Sequence, residues 1–209
     1  VVVLVRMLCG IKNYEDGEGF WEFKGRAVAQ GCLVRGTDGK LYNEPDDLYV
    51  VPVGLSGARM GISFAYATGG IAAVADVDGA YLLADLKGPP TYARLEARIR
   101  PANWSRYKDP VCRIWKSLYG LERSGYDYHT HADAVLVIEL EFVRVEDCEG
   151  TMYTKEYSVT MIVVLSLYVD DLICSGPREA VLATLKDIDG HMPLKSPGRE
   201  LSKYFGMTF

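Results

Sequence analysis

Two apolar stretches of this 209-residue chain are each broken by acid, and no other feature constrains the fold as tightly. One is Ala73-Val74-Ala75-Asp76-Val77. The other is Leu167-Tyr168-Val169-Asp170-Asp171-Leu172, which closes the most apolar run of the sequence, Met161 to Tyr168. Short runs rich in β-branched residues read as strands. An ionised carboxylate inside such a strand is costly unless it is paired or binds a metal ion. Neighbours on a strand point to opposite faces. If the strands of Asp76 and Asp170 lie side by side, one acid of the Asp170-Asp171 pair shares a face with Asp76. Asp170 is the expected partner, with Asp171 facing elsewhere in a lesser or peripheral role. Converging carboxylates raise one another's pKa, and a divalent cation removes that penalty. Hard oxygen ligands select magnesium or manganese over zinc. The simpler alternative places the acids in exposed turns between strands, which is the usual fate of an arbitrary Asp-Asp pair.

The remaining pattern supplies a scaffold for these acids. Val1 to Cys9 reads as a strand, Glu15 to Gly19 as a turn and Phe20 to Gln30 as the returning strand, with a second turn at Gly36 to Gly39. Together they suggest a projecting β-hairpin lobe. Arg59 to Thr68 is mildly helical and is stopped by Gly69-Gly70. Ile71 to Val77 is a strand, and Thr91 to Ile99 and Val111 to Trp115 are weaker ones. Arg123 to about Leu140 has helical length and spacing. A second helix runs from about Arg178 to Asp189, with Val181, Leu182, Leu185 and Ile188 expected on its apolar face. Strands and helices mix without regular βαβ alternation, so an α+β fold is expected.

Charge bears on the partner. With 23 basic and 28 acidic residues the chain carries a formal net charge of −5, which disfavours broad phosphate binding. Any nucleic-acid surface must therefore be local. From Arg94 to Lys116 there are seven bases (Arg94, Arg98, Arg100, Arg106, Lys108, Arg113, Lys116) against Glu96 and Asp109, a local charge of +5. They are interleaved with Trp104, Tyr107 and Trp115, the pattern of a surface that tracks a backbone and stacks bases. A solvated basic loop with inward-packed aromatics fits the same residues equally well. The five cysteines form no C-x-x-C pair, which argues against a disulfide framework and for a reducing compartment. Cys174, three residues past the acid pair, reads as a small core residue. The apolar start, Val1 to Val5, is too short to span a bilayer, and no membrane partner is expected. Without an initiator Met, the chain reads as a piece of a longer protein. Asp127 and His131 would share one helix face, and His129 and Asp133 another. Neither face gathers enough ligands for zinc, so a surface helix is expected there.

Five segments, in order, resemble the reverse transcriptase of copia-type retrotransposons. Lys24-Gly25-Arg26-Ala27-Val28-Ala29-Gln30-Gly31 is similar to the family's K-A-R-L-V-A-x-G. Asp76-Val77-Asp78-Gly79-Ala80-Tyr81-Leu82 is similar to D-V-K-x-A-[FY]-L, and Lys116-Ser117-Leu118-Tyr119-Gly120-Leu121 to K-x-L-Y-G-L. Tyr168-Val169-Asp170-Asp171 matches Y-V-D-D, and Tyr204-Phe205-Gly206-Met207 resembles the closing F-L-G-x segment. A lone Y-x-D-D is weak; five ordered segments over nearly the whole chain are strong.

The resemblance implies the fingers and palm of a right-hand polymerase, with an antiparallel palm sheet backed by helices. Residues 1–70 would form the fingers-like lobe and its linking helix. Residues 71–209 would form the palm, with fingers elements interleaved at about 90–125, truncated before the thumb and RNase H. It implies RNA-directed DNA polymerase activity, with a primer 3′-hydroxyl attacking a dNTP on an RNA or DNA template. Two Mg²⁺ ions, or Mn²⁺, would be held by Asp76, the adjoining Val77, Asp170 and Asp171. Lys24 and Arg26 would reach the triphosphate, Tyr81 would exclude a ribose 2′-hydroxyl, and Gly120 would shape the floor beside the template base. Arg94, Arg98, Arg113, Lys116, Tyr168, Tyr204 and Gly206 would contact nucleic acid. The context would be a retrotransposon polyprotein inside the cell, in cytoplasmic virus-like particles or the nucleus. One segment departs from the pattern. Where the family has K-Q-A-P-R-x-W after L-Y-G-L, this chain has Glu122-Arg123-Ser124-Gly125-Tyr126-Asp127-Tyr128. Two rival readings remain open: a non-catalytic nucleic-acid or protein binding module, and an unrelated metal-dependent nuclease or phosphotransferase.

Overall fold

The computed structural model describes residues 1–36, 38–42, 48, 50, 52–146, 151–201, 203, 204, 207 and 208, the last four by backbone alone. In chain order its elements are strands β1 (Val2–Lys12) and β2 (Glu22–Ala29), helix α1 (Leu55–Ala67), strand β3 (Ile71–Asp76), the single turn α2 (Ala80–Leu83), and strands β4 (Thr91–Leu95) and β5 (Cys112–Ile114). Helix α3 (Ser124–Ala134) continues as a π-helical turn over Val135–Glu139. Then come β6 (Val143–Arg144), β7 (Thr151–Ser158), β8 (Met161–Tyr168), β9 (Asp171–Gly176), α4 (Arg178–His191), β10 (Arg199–Glu200), β11 (Lys203–Tyr204) and β12 (Met207–Thr208). The chain is thus a mixed α+β protein. It divides into two compact units, Val1–Leu48 with Ala84–Asp127, and Tyr49–Leu83 with Tyr128–Phe209. Among the described residues no helix is long and apolar enough to cross a membrane.

The first unit is built on a four-stranded sheet in the order β2-β1-β4-β5. The two runs around the first turn pair antiparallel, from Val5 opposite Ala29 to Lys12 opposite Glu22. β1 also pairs in parallel with β4, a long-range contact that the sequence pattern does not announce. Val3, Val5, Ala29, Val34 and Ala93 form the buried centre. Two glycines lock the end of β2 to the Tyr119-Gly120 turn. Gly31 donates its N–H to the Gly120 carbonyl at 3.0 Å, and Ala29 donates to Tyr119 at 2.7 Å. Gly120 has φ +90°, and a Cβ there would lie 2.0 Å from the Ala29 carbonyl oxygen. Only glycine fits such a conformation and such an approach.

The second unit carries a six-stranded sheet, β10-β3-β9-β8-β7-β6, antiparallel at every pairing. β7 is a strand that the apolar pattern does not mark, because most of its side chains are polar and it is recognisable only by Thr151, Tyr153, Thr154 and Tyr157. α1 packs on the sheet through small residues: Gly57, Ala58, Gly61 and Ala65 are buried. It ends as the glycine pair suggested. Gly69, at φ +65°, donates to Tyr66, and Gly70 donates to Ala65 at 2.8 Å, which is a Schellman closure. α4 buries Ala180, Val181, Thr184, Leu185 and Ile188. Leu182, expected on that face, is instead 49% exposed. Thr184 takes the inward position, and its hydroxyl shares a 2.8 Å hydrogen bond with the Tyr157 hydroxyl.

Candidate functional site

The acids meet at one end of the second unit's sheet. β8 and β9 are joined by a two-residue loop, so that Tyr168 pairs with Asp171 and only Val169 and Asp170 lie between the strands. Val169 has φ +54°. Positive φ at the first loop position alone is the signature of a type II′ hairpin turn, whose twist suits the flanking strands. A β-branched residue there is a genuine outlier, costing on the order of 1–3 kcal/mol.

This loop decides which acid faces Asp76. The β3–β9 register sets Asp76 directly opposite Asp171, so Tyr168, Asp171 and Asp76 form one row across three strands and project to one face. The expectation that Asp170 would be the strand partner is therefore corrected. Asp170 sits in the turn, where its carbonyl accepts the Val77 N–H at 2.8 Å. The face that carries the row is the one that α1 covers further along, where Ala58 packs on Ile173. The row's end is left open, with Tyr168 36% exposed and Asp76 half-exposed.

Asp171 lies in the field of both other acids. The Asp171 carboxyl is pushed above the usual carboxylate range, first by burial, then by the charges of Asp170 and Asp76, against the opposing pull of Lys195. Asp76 holds the Lys195 ammonium through Oδ1, and the Lys195 N–H donates to the Asp76 carbonyl at 2.9 Å. Among the described residues no three His, Cys, Asp or Glu side chains are gathered closely enough to enclose an ion as they stand. The donor chemistry nonetheless fits a hard divalent cation: oxygen ligands only, in excess negative charge, with one of them already carrying a cation. Lys195, in Pro193-Leu194-Lys195-Ser196-Pro197, escaped the sequence reading because nothing local distinguishes it from a solvated lysine.

Other expected site residues fall as follows. Lys24 and Arg26 lie on one face of β2, opposite Gly10 and Leu8, in a groove lined also by Cys9, Ile11 and Lys12. Arg26 stands over the Tyr119 ring at 5.2 Å. Tyr81, on α2, packs edge-on against Tyr128 with centroids 6.0 Å apart. Tyr204 is placed by its backbone in β11, its side chain lying outside the described residues, as does Gly206.

The basic segment is largely committed within its own unit. Arg94 holds Asp109 through two hydrogen bonds of 3.1 and 2.8 Å. Arg98 holds Glu96 at 3.0 Å and the Met7 carbonyl at 3.1 Å, and Lys116 pairs with Asp85 at 2.8 Å. These pairs commit three of the seven bases, though Asp109 and Glu96 are already counted in the local charge of +5 and only Asp85 lowers it further. Arg113 is different: its guanidinium stacks 3.7 Å from the centroid of the exposed Trp115 ring, a flat cationic platform of the kind that accepts a base.

The stretch from Asp127 to Asp133, expected as a surface helix, is in part buried. Asp127 is buried, its side chain only 1% exposed, and it pairs with Arg123 one turn earlier. The carboxylate also accepts the Lys87 N–H and the Ser117 hydroxyl. Asp127 is thus a structural anchor. On the rest of α3, Tyr128 and Ala132 are buried, and Asp133 accepts from Arg144 and from the Tyr153 hydroxyl. Cys174 is fully buried, which raises its thiol pKa and agrees with a core role.

A family model described as "Reverse transcriptase (RNA-dependent DNA polymerase)" matches residues 12–209. The chain is 29% identical over 92 residues to the retrovirus-related Pol polyprotein from transposon TNT 1-94 of Nicotiana tabacum, covering 44% of this chain and 7% of that protein. It is 32% identical over 117 residues to the transposon Ty1-NL2 Gag-Pol polyprotein of Saccharomyces cerevisiae, covering 53% of this chain and 6% of that protein. The matched regions are thus a small fraction of either relative. No solved structure matches.

Proposed function

The chain belongs to the reverse transcriptase (RNA-dependent DNA polymerase) family, and from that premise we propose that it is the fingers and palm of a copia-type retrotransposon polymerase that extends a primer with dNTPs on an RNA or DNA template. The observation that carries the reading is the row of Tyr168, Asp171 and Asp76 across three strands with Asp170 in the adjoining turn. The unit with the six-stranded sheet is the palm, and the β1–β2 hairpin belongs to the fingers.

Asp76, Asp170 and Asp171, with the backbone at Val77, would hold two Mg²⁺ or Mn²⁺ ions. Metal held there would supply a lowered pKa for the attacking primer hydroxyl and screening of charge on the leaving pyrophosphate. The chain's own groups do the positioning. The β3–β9 ladder fixes Asp76 and Asp171 side by side, and the strained Val169 turn presents Asp170 next to them. Tyr81 lies under the sugar and excludes a ribose 2′-hydroxyl. Arg26 offers its planar fork to the triphosphate, with Lys24 as a second charge. Gly120 shapes the floor beside the template base. Arg94, Arg98, Arg113, Lys116, Tyr168, Tyr204 and Gly206 contact nucleic acid, Arg113 acting with Trp115 as a stacking platform. The thumb and RNase H regions of the polyprotein complete the grip on the template and primer. The polyprotein acts inside the cell, in cytoplasmic virus-like particles or the nucleus.

Primer extension with Mg²⁺ and dNTPs tests the reading. Extension by the wild-type chain that Asp170→Asn abolishes supports it. Phosphodiester cleavage without extension assigns a nuclease, and a folded chain with neither activity assigns a binding module.

A further inference from the structure

Lys195 is attached to Asp76 at two points, through its side chain and through its backbone. Its ammonium donates to Asp76 Oδ1, and its own backbone N–H donates to the Asp76 carbonyl at 2.9 Å. The preceding residues are pinned as well. Leu194 forms a bridge with Val77, the Pro193 carbonyl accepts the Asp78 N–H at 2.7 Å, and the Leu194 N–H donates to Asp189 Oδ1 at 2.7 Å. Residues 193–195 thus run antiparallel beside 76–78 through one β-bridge, and the lysine stem starts beside Asp76.

We propose that Lys195 is the resident counter-ion of the carboxylate cluster: its ammonium occupies Asp76 until a divalent cation displaces it, and the competition sets the affinity of the site for metal. The inference rests on the reading of Asp76, Asp170 and Asp171 as metal ligands. Three carboxylates at one sheet end repel one another when no cation is present. A lysine already in place relieves that repulsion at the cost of one ligand oxygen. The side chains of Lys195 and Asp76 are 40% and 42% exposed, and an ion pair so open to water is weak. Lys195 is therefore a competitor that metal can displace, not a lock.

The test is a Mn²⁺ titration of the full chain, read from the electron paramagnetic resonance signal of free Mn²⁺. Wild type, Lys195→Met, Lys195→Gln and Asp171→Asn are compared, with thermal melts of each in EDTA and in saturating Mg²⁺. Lys195→Met keeps the apolar stem and removes the charge. The expected result is Mn²⁺ binding about three- to fivefold tighter in both lysine variants, the equilibrium equivalent of a half-exposed ion pair. Their melting temperatures should fall in EDTA and match wild type in Mg²⁺. Unchanged or weaker binding in both lysine variants, while Asp171→Asn loses Mn²⁺, overturns the counter-ion role and leaves the metal site standing. Mn²⁺ binding by Asp171→Asn equal to wild type overturns both.

Discussion

Arg123→Met is expected to be among the most damaging single changes to the first unit. Asp127 is 1% exposed at its side chain and Arg123 10%. The Asp127 carboxylate accepts from Arg123 Nε at 3.0 Å and Nη2 at 3.1 Å, from the Lys87 N–H at 3.1 Å, and from the Ser117 hydroxyl at 3.3 Å. Met fills much of the arginine stem's volume but supplies neither the charge nor the two donors. The carboxylate keeps two neutral donors, so the cost falls toward the lower end of the roughly 3–5 kcal/mol typical of breaking a buried pair, at about 3 kcal/mol. In a chain of this size each kcal/mol shifts Tm by about 2–4 °C, so the midpoint should drop by on the order of 10 °C. Asp127→Leu on the Arg123→Met background removes the stranded charge. It leaves the Lys87 N–H and Ser117 hydroxyl to be satisfied, and the double variant should be less destabilised than the sum of the singles by about 2 kcal/mol. Urea unfolding of the four proteins of this cycle measures it, with the m-value checking that the denatured state is unchanged. A loss below about 1 kcal/mol for Arg123→Met at constant m, or additive singles, would refute the anchoring role.

Three further outcomes are expected. Gly120→Ala should cost about 3 kcal/mol or more, since a Cβ would sit 2.0 Å from the Ala29 carbonyl at φ +90°. Gly61→Ala, whose Cβ would meet nothing nearer than the Ser175 hydroxyl at 3.4 Å, should be neutral or stabilising by up to about 1 kcal/mol; chemical denaturation compares the two. His129 is held below its usual pKa, chiefly by burial, with Asp133 opposing and Arg144 assisting. Its neutral form therefore supports the fold above pH of about 6.5, and this contribution is lost as pH falls through the lowered folded pKa. His129→Gln should flatten that limb of a Tm-against-pH profile, and an unchanged limb would count against it. Tyr81→Ala should relax discrimination against ribonucleotides, and single-nucleotide incorporation with an unaltered dNTP preference would remove Tyr81 from that role.

How far the sequence could be read depended on whether the determining contacts were local. The run Met161–Tyr168 and the acids after it announce a strand and a charged end, because apolar strand content is a local property. The facing of the acids is not local. It turns on a two-residue loop with Val169 at positive φ, a conformation that β-branched residues disfavour, so the sequence argued for the wrong carboxylate. Burial of the Arg123–Asp127 pair depends on Lys87 and Ser117, which approach from 40 and 10 residues away. The same holds for Lys195, which meets Asp76 across 119 residues. Helix α4 shows the limit of periodicity: Leu182, one of the apolar residues that mark the helix, is exposed, while the polar Thr184 is buried and bonded to Tyr157. The net positive charge of Arg94–Lys116 was legible, but not the commitment of Arg94, Arg98 and Lys116 to Asp109, Glu96 and Asp85.

The central claim is that Asp76, Asp170 and Asp171 together hold divalent metal. Crystals of the chain grown or soaked with Mn²⁺, with diffraction recorded at the manganese absorption edge, test it most directly. Anomalous density is expected between the ends of β3 and β9, ligated by Asp76 together with Asp170 or Asp171, with the Lys195 ammonium moved off Asp76. Manganese bound elsewhere, with these carboxylates still facing only Lys195 and solvent, would contradict it.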